Sequence, residues 1–205
     1  MKRILIFAFV LCGLQAFGQQ QAMFSQYMFN PIAINPAYAG SQNALTATVL
    51  SRSQWTSLEG APTTQTVSIH GPVKYSRASF GAQLFHDQIT VSNYYGVHGF
   101  YSYYIPVAEN VRLSFGIKAG VSNYQADMSD LSLYYPEMDY TSDPVFAGNT
   151  YGGWLPNVGA GIFIYSKRSY FGLSMPEMIN NEIETSVESL NGRQRAHYFM
   201  HGGHV

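Results

Sequence analysis

Charged residues are scarce in this sequence. Asp, Glu, Lys and Arg together make up 11% of its 205 residues, where about 25% is usual for a soluble globular protein. Neither sign dominates, since 11 basic residues stand against 12 acidic ones, and no basic cluster of the kind that binds nucleic acid occurs. The composition argues against a nucleic-acid partner. It also indicates a surface that something other than water covers in part.

Cysteine and long apolar runs are nearly absent as well. The single cysteine, Cys12, lies in an apolar run at residues 4–14 that follows two basic residues. A transmembrane anchor would need roughly 20 apolar residues, and small residues stand one and three positions before Gln19, as signal peptidase requires. We therefore expect residues 1–18 to be a secretory signal peptide. The mature chain would then contain neither a disulfide nor a thiolate site.

Alternation of apolar and polar residues is the strongest pattern in the chain. In residues 110–124, five apolar side chains alternate with six polar or small ones, as along a strand whose two faces differ. Weaker versions recur at residues 64–71, 77–87 and 157–167. The apolar face of the strongest segment consists of Leu113, Phe115, Ile117, Ala119 and Val121.

Strands of this kind occur in soluble sandwiches and in transmembrane barrels whose apolar face meets lipid. Strand length and the connections favour the barrel, because the segments reach about ten residues and short turns alternate with generally longer loops. We predict an all-β fold, an antiparallel transmembrane outer-membrane β-barrel, whose lipid-facing residues include the five named above. The predicted strands are residues 44–56, 64–71, 77–87, 94–105, 111–124, 157–166, 169–175 and 196–205.

Aromatic residues reach 15% of the chain and gather near the ends of these segments. Tyrosine and tryptophan form girdles at the two membrane interfaces of such barrels. The alternative is that they form the core of a sandwich. We predict interfacial positions for Tyr94, Tyr95, Tyr101, Tyr103, Tyr104, Tyr124, Tyr165, Tyr170 and Phe171.

Residues 20–40 contain no charge and two Asn-Pro steps. Proline lacks a backbone donor and biases the residue before it toward extended conformations, so this stretch is not a barrel strand. Its aromatic and methionine side chains need cover from the barrel or from a partner. A disordered leader is the alternative, although such segments are poor in aromatics. We expect residues 19–43 to lie on the periplasmic side or inside the barrel, and residues 44–205 to form the barrel.

Two blocks of the sequence resemble a known family. Residues 23–41, "MFSQYMFNPIAINPAYAGS", and residues 52–73, "RSQWTSLEGAPTTQTVSIHGPV", are similar to successive signatures of the PorP/SprF family of the type IX secretion system of Bacteroidota. The likeness continues through most of the mature chain. Positions that match the signatures are Phe24, Gln26, Tyr27, Asn30, Pro31, Asn35, Pro36, Ala37, Tyr38, Gly40, Arg52, Gln54, Trp55, Gly60 and Pro62.

The resemblance implies a function in protein export. It implies an integral protein of the cell outer membrane, surrounded by lipid, that works with a periplasmic ring lipoprotein and its partner protein on exported cargo, including gliding adhesins. A passive outer-membrane pore or a ligand-binding barrel is the alternative. Members of the family are longer, so we expect a barrel truncated at Val205. Our hypothesis for partner binding names Phe24, Gln26, Tyr27, Asn30, Pro31, Asn35, Pro36 and Tyr38.

Signals of catalysis or metal binding are weak. The chain has no G-x-S-x-G, Walker or H-E-x-x-H motif. His197, His201 and His204 cluster, but on a strand the third would face away from the other two, which suits a zinc site poorly. Acidic residues at 127–143 would suit calcium, yet they lack the spacing of an EF-hand, which favours a solvated loop. We predict no enzyme, no cofactor and no metal site.

Overall fold

The computed structural model describes residues 28–127, 150–183 and 192–204. Eight antiparallel strands form one sheet that curls into a half-barrel. Within the described ranges, no helix is long and apolar enough to cross a membrane. The strands are β1 Thr46–Ser53, β2 Thr63–Pro72, β3 Ala78–Ile89, β4 Ser92–Ala108, β5 Val111–Asp127, β6 Thr150–Tyr165, β7 Ser169–Met175, β8 Glu182–Ile183, β9 Gly192–Arg193 and β10 Phe199–His204.

Each strand of the large sheet pairs with its neighbour in the chain, in the order β1-β2-β3-β4-β5-β6-β7-β10. The short strands β8 and β9 form a separate hairpin within the connection from β7 to β10. The eight predicted strands correspond to the eight strands of the large sheet. The all-β, antiparallel, barrel-type fold is therefore confirmed.

Two connections differ from the prediction. β6 begins at Thr150, seven residues before the predicted start, and pairs with β5 as far as Asp127. β3 and β4 are joined by Thr90 and Val91 alone, although we expected a longer loop there. Thr90 has a φ of 51°, which is rare for a β-branched residue. Its amide and hydroxyl groups donate to the Gly60 carbonyl at 2.9 and 3.2 Å, contacts that stabilise this tight turn and that the sequence does not reveal.

The polarity of the two faces is the reverse of that in a soluble protein. Side chains on the concave face of the sheet are mostly polar or small and are buried, whereas those on the convex face are mostly apolar and exposed. Buried polar residues of the strands include Thr66, Ser68, Gln83, His98, Ser102, Lys118 and Ser122. Exposed apolar residues include Val67, Ile69, Phe80, Leu84, Val97, Ile117, Val158 and Leu173.

The apolar band on the convex face has the height of a bilayer core. On β4 the exposed apolar side chains of the convex face run from Tyr95 to Val107. Twelve residue steps cover about 41 Å along an antiparallel strand. A strand tilt of about 40° reduces this to about 31 Å, close to the roughly 30 Å of a bilayer's hydrocarbon core.

The aromatic residues divide between the two faces. Tyr95, Tyr101, Tyr103 and Phe171 are exposed on the convex face, where interfacial residues belong. The other five point to the concave side, so the prediction of an interfacial position is wrong for them. Their side chains interact inside the half-barrel, as when the Tyr94 hydroxyl lies 3.0 Å from Ser122 Oγ. The five are Tyr94, Tyr104, Tyr124, Tyr165 and Tyr170.

Candidate functional site

Residues 30–40 cross the concave face of the half-barrel, and we call them the crossbar. They form two 3-10 turns, η1 Pro31–Ala33 and η2 Pro36–Tyr38, each with proline at its first position. Proline suits this position because it needs no donor there and its φ is already appropriate. Asn35 caps the second turn, since its side-chain oxygen accepts from the Ala37 amide at 3.0 Å. The two Asn-Pro steps therefore specify two tight turns.

Polar side chains of three strands bind the crossbar. A crossbar backbone or side-chain group takes part in each hydrogen bond, so the segment links strands that are not neighbours. The bonds run from Ser68 Oγ to Asn30 Oδ1 at 2.9 Å, from the Gly40 amide to His70 Nδ1 at 3.1 Å, from Ser102 Oγ to the Ala39 carbonyl at 2.7 Å, and from Ser174 Oγ to the Ile34 carbonyl at 2.6 Å.

Asn35 connects the crossbar to the far side of the sheet. Its side chain is fully buried, and Nδ2 donates to the Ile162 carbonyl of β6 at 3.1 Å. The same nitrogen lies 3.1 Å from His201 Nε2 of β10. With the cap to Ala37, both ends of the amide have partners, which a buried amide requires.

Three glycines make room for the second turn. Gly116 of β5, Gly161 of β6 and Gly172 of β7 lie under it, and we call them the glycine cradle. A Cβ atom at Gly116 would collide with the Ala37 backbone, and one at Gly161 with Asn35 Oδ1. At Gly172 it would lie 2.7 Å from Asn35 Nδ2. The sheet therefore lacks side chains where the crossbar approaches it most closely.

Apolar burial holds the crossbar as well. Ile32, Ile34 and Ala37 are 1%, 6% and 0% exposed, in contrast to the apolar residues on the convex face. Ile32 packs in a cluster with Ala39 and Phe100. The crossbar is thus held to the concave face by apolar packing as well as by hydrogen bonds.

A second segment, residues 176–181, folds over the concave face from the end of β7. We call it the inner loop. The side chain of Asn157 on β6 hydrogen-bonds to the backbone of the inner loop, in the way that a neighbouring strand would. Its Oδ1 accepts from the Met178 and Ile179 amides at 2.9 and 3.1 Å, and its Nδ2 donates to the Ile179 carbonyl at 3.1 Å. A Cβ atom at Gly159 would collide with the Pro176 carbonyl, so this glycine also makes room for a segment inside.

A buried ion pair joins the inner loop to β5. Lys118 Nζ lies 3.6 Å from Glu177 Oε1, and the two side chains are 3% and 13% exposed. Gln194 Nε2 donates to Glu177 Oε2 at 2.6 Å and lies 3.4 Å from the Tyr94 hydroxyl. The Lys118 charge is thus paired and the carboxylate is hydrogen-bonded, as buried charges require.

Comparison with known proteins identifies the family. Residues 16–205 match the family model of the type IX secretion system membrane protein PorP/SprF. The chain belongs to the PorP/SprF family. No curated protein and no solved structure matches it. Membership confirms the resemblance seen in the sequence and makes this chain a type IX secretion system membrane protein, a class defined by its place in a secretion system and not by an enzymatic activity.

The predicted partner-binding residues of this PorP/SprF chain fall into three groups. Phe24, Gln26 and Tyr27 lie outside the described residues. Asn30, Asn35 and Pro36 are buried against the sheet, whereas Pro31 and Tyr38 are half-buried. The contacts give the described residues a structural role in the crossbar. Partner binding by these eight residues stays a prediction.

The five predicted lipid-facing residues of the PorP/SprF chain share the convex face of β5. Phe115 and Ile117 are 44% and 59% exposed, Ala119 is exposed, and Leu113 and Val121 are half-buried. Their contact with lipid stays a prediction. Sequence reasoning missed Lys118, Asn157 and Glu177. The signal in the sequence for Lys118 is a lysine between Gly116 and Gly120 on the polar face of a strand.

The histidines near the end of the chain do not converge. His201 contacts Asn35, while His204 Nδ1 lies 2.7 Å from Ser169 Oγ. Across the described parts of the chain, no three His, Cys, Asp or Glu side chains are grouped as metal ligands. Most of the acidic segment weighed as a calcium site, from residue 128 on, lies outside those parts.

Proposed function

We propose that this PorP/SprF chain is an integral outer-membrane component of the type IX secretion system that supports protein export or the delivery of gliding-type adhesins to the cell surface. Family membership supports a place in the secretion system. The exposed apolar band on the convex face supports a lipid environment. A signal peptide at residues 1–18, as predicted, would direct the chain out of the cytoplasm.

The filled concave face is the observation that favours a structural and interaction role. A passive porin has a polar interior filled with water. Here the crossbar and the inner loop cover the concave face, and each segment forms polar contacts with the strands. This arrangement favours a role in organising other proteins and argues against a role in conducting solutes.

We place the partner contact at the start of the crossbar. Met28 and Phe29 precede it and are 68% and 64% exposed. Two adjacent exposed apolar side chains, next to the predicted contact residues Phe24, Gln26 and Tyr27, form a surface that a protein partner would cover. The crossbar lies in the half of the interior nearer the short turns, as its contacts with Ser102 and Gly116 indicate, and that end is the periplasmic one in barrels of this type. The ring lipoprotein and its partner protein are the proposed occupants.

The test replaces both exposed residues, Met28→Ser and Phe29→Ser, in one variant. We expect the periplasmic ring proteins no longer to co-purify and cargo export to fall, while the barrel still shows a heat-dependent gel shift. Leu58→Ser is the matched control, because Leu58 is 63% exposed but lies on the β1–β2 loop at the other end of the strands. Undiminished co-purification from the double variant would refute the proposed contact.

Electrical recording separates this proposal from the pore alternative. The purified protein should give no steady channel current in planar bilayers, because its interior is occupied. A large and stable conductance, in a preparation that recruits no ring proteins, would favour the passive pore.

A further inference from the structure

The crossbar and the inner loop are attached to the sheet in different ways. Apolar side chains of the crossbar are buried, as Ile32 and Ala37 illustrate with 1% and 0% exposure. In the inner loop Pro176 is buried, but the two larger apolar side chains, Met178 and Ile179, remain 44% and 39% exposed. Releasing the crossbar would expose apolar surface to water, whereas releasing the inner loop would expose little more than is already exposed.

Polar contacts hold the inner loop. Asn157 makes three hydrogen bonds to its backbone, and Lys118 pairs with Glu177. Asn181 Nδ2 adds a bond to the Pro156 carbonyl at 3.1 Å. Water can replace each of these partners when the segment leaves, so the net stabilisation from such bonds is far below their strength in isolation. Low apolar burial and replaceable polar contacts are features of segments that open locally.

We propose that the inner loop is a releasable cap over the half of the concave face nearer the long loops, and that Asn157 and Lys118 are the positioning residues that hold it closed. The segment that covers this half of the concave face is part of the chain itself, residues 176–181. The crossbar is the fixed filling of the other half. The two segments thus divide the interior into a permanent and a movable part, a division that the secretion function does not require and that can be tested without it.

Thiol labelling in proteoliposomes tests this proposal. Cys12 is the only natural cysteine, so with it removed a Pro176→Cys variant carries one thiol at a buried position of the cap. A water-soluble maleimide should label it slowly. Adding Lys118→Met or Asn157→Leu should speed the labelling about tenfold or more, because the labelling rate follows the population of the open form.

A second thiol separates cap release from general unfolding. Ala37→Cys in the crossbar is fully buried, and its labelling should stay slow in both backgrounds. Reversing the ion pair with Lys118→Glu and Glu177→Lys together should restore slow labelling at Pro176→Cys, while either reversal alone should speed it.

Two results would overturn the proposal. Labelling at Pro176→Cys that is equally slow in all backgrounds would mean that Lys118 and Asn157 do not hold the segment. Fast labelling without any further substitution would mean that no closed cap exists. Cleavage after Glu177 by a glutamyl endopeptidase gives the same comparison without the cysteine at position 176. It should accelerate in a protein whose only substitution is Lys118→Met, and likewise in one whose only substitution is Asn157→Leu.

Discussion

Gly161 illustrates how one missing side chain positions a whole segment. A Cβ atom there would collide with Asn35 Oδ1, the atom that caps the second turn of the crossbar. Gly116 is the register partner of Gly161 on β5, and a Cβ atom there would collide with the Ala37 backbone. The glycines in these strands therefore reflect the position of the crossbar as much as the curvature of the sheet.

Gly161→Ala should destabilise the folded protein. The added methyl group displaces Asn35, and overpacking of this kind costs about 1–3 kcal/mol. Urea unfolding in detergent micelles or lipid vesicles measures the change. Gly153→Ala on the same strand is the matched control, since a Cβ atom there meets nothing within 4 Å. Equal effects of the two substitutions would show that the cradle does not matter.

Ile117→Arg tests the opposite face of the sheet. Ile117 is 59% exposed on the convex side of β5. An arginine near the middle of a bilayer costs about 2–4 kcal/mol in transmembrane barrels, so the free energy of unfolding from vesicles should fall by that amount. Ile117→Leu should leave it nearly unchanged. If arginine had no effect at this position, the convex face would not be in contact with lipid.

At the scale of elements, alternation located the strands well because each strand has faces of opposite polarity. It failed at the start of β6, where the sequence "TYGGWLP" does not alternate. Alternation also distinguishes the faces of β4, because Tyr94 and Tyr104 lie an even number of residues from His98 and therefore share its concave face. Residue spacing alone would have placed these two rings inside.

The crossbar shows the limit of sequence reasoning. The Asn-Pro steps correctly exclude a strand at residues 30–40. The location could not be predicted, because Asn35 meets Gly161 and His201 only after β6 and β10 are in place. The pairing of Lys118 with Glu177 could not be predicted from the sequence for the same reason, because their contact depends on the path of the chain after β7.

A disulfide tests the position of the crossbar as an element. The ideal Cβ position at Gly161 lies 3.1 Å from Asn35 Cγ, which brings the two Cβ atoms close to the roughly 3.5–4.5 Å that a disulfide requires. Asn35→Cys combined with Gly161→Cys, with Cys12 removed, should form an intramolecular disulfide on mild oxidation of membranes. A faster-migrating band on a denaturing gel that reverts on reduction would report it.

The matching control joins Asn35→Cys with Gly153→Cys, whose Cβ position has no neighbour within 4 Å. That pair should remain unlinked. Linkage at both positions, or at neither, would contradict a crossbar fixed on the glycine cradle.

The whole molecule is organised with its polarity reversed. Its concave face is polar and covered by two segments of the chain, while its convex face carries an exposed apolar band of about the height of a bilayer core. The low charge content of the sequence follows from this arrangement, because few side chains need to meet water. Membership in a family of secretion-system membrane proteins agrees with it.

Spin labels on single cysteines give the most direct test of this reversed polarity. One label would be placed at Ile117 or Val158 on the convex face, or at Ser122 on the concave face, and the protein reconstituted in lipid vesicles. The measured quantity is the collision rate of each label with oxygen, which partitions into lipid, and with a water-soluble nickel complex. We predict high oxygen and low nickel accessibility at Ile117 and Val158, and low accessibility to both at Ser122. Greater nickel than oxygen accessibility at Ile117 and Val158 would contradict the account.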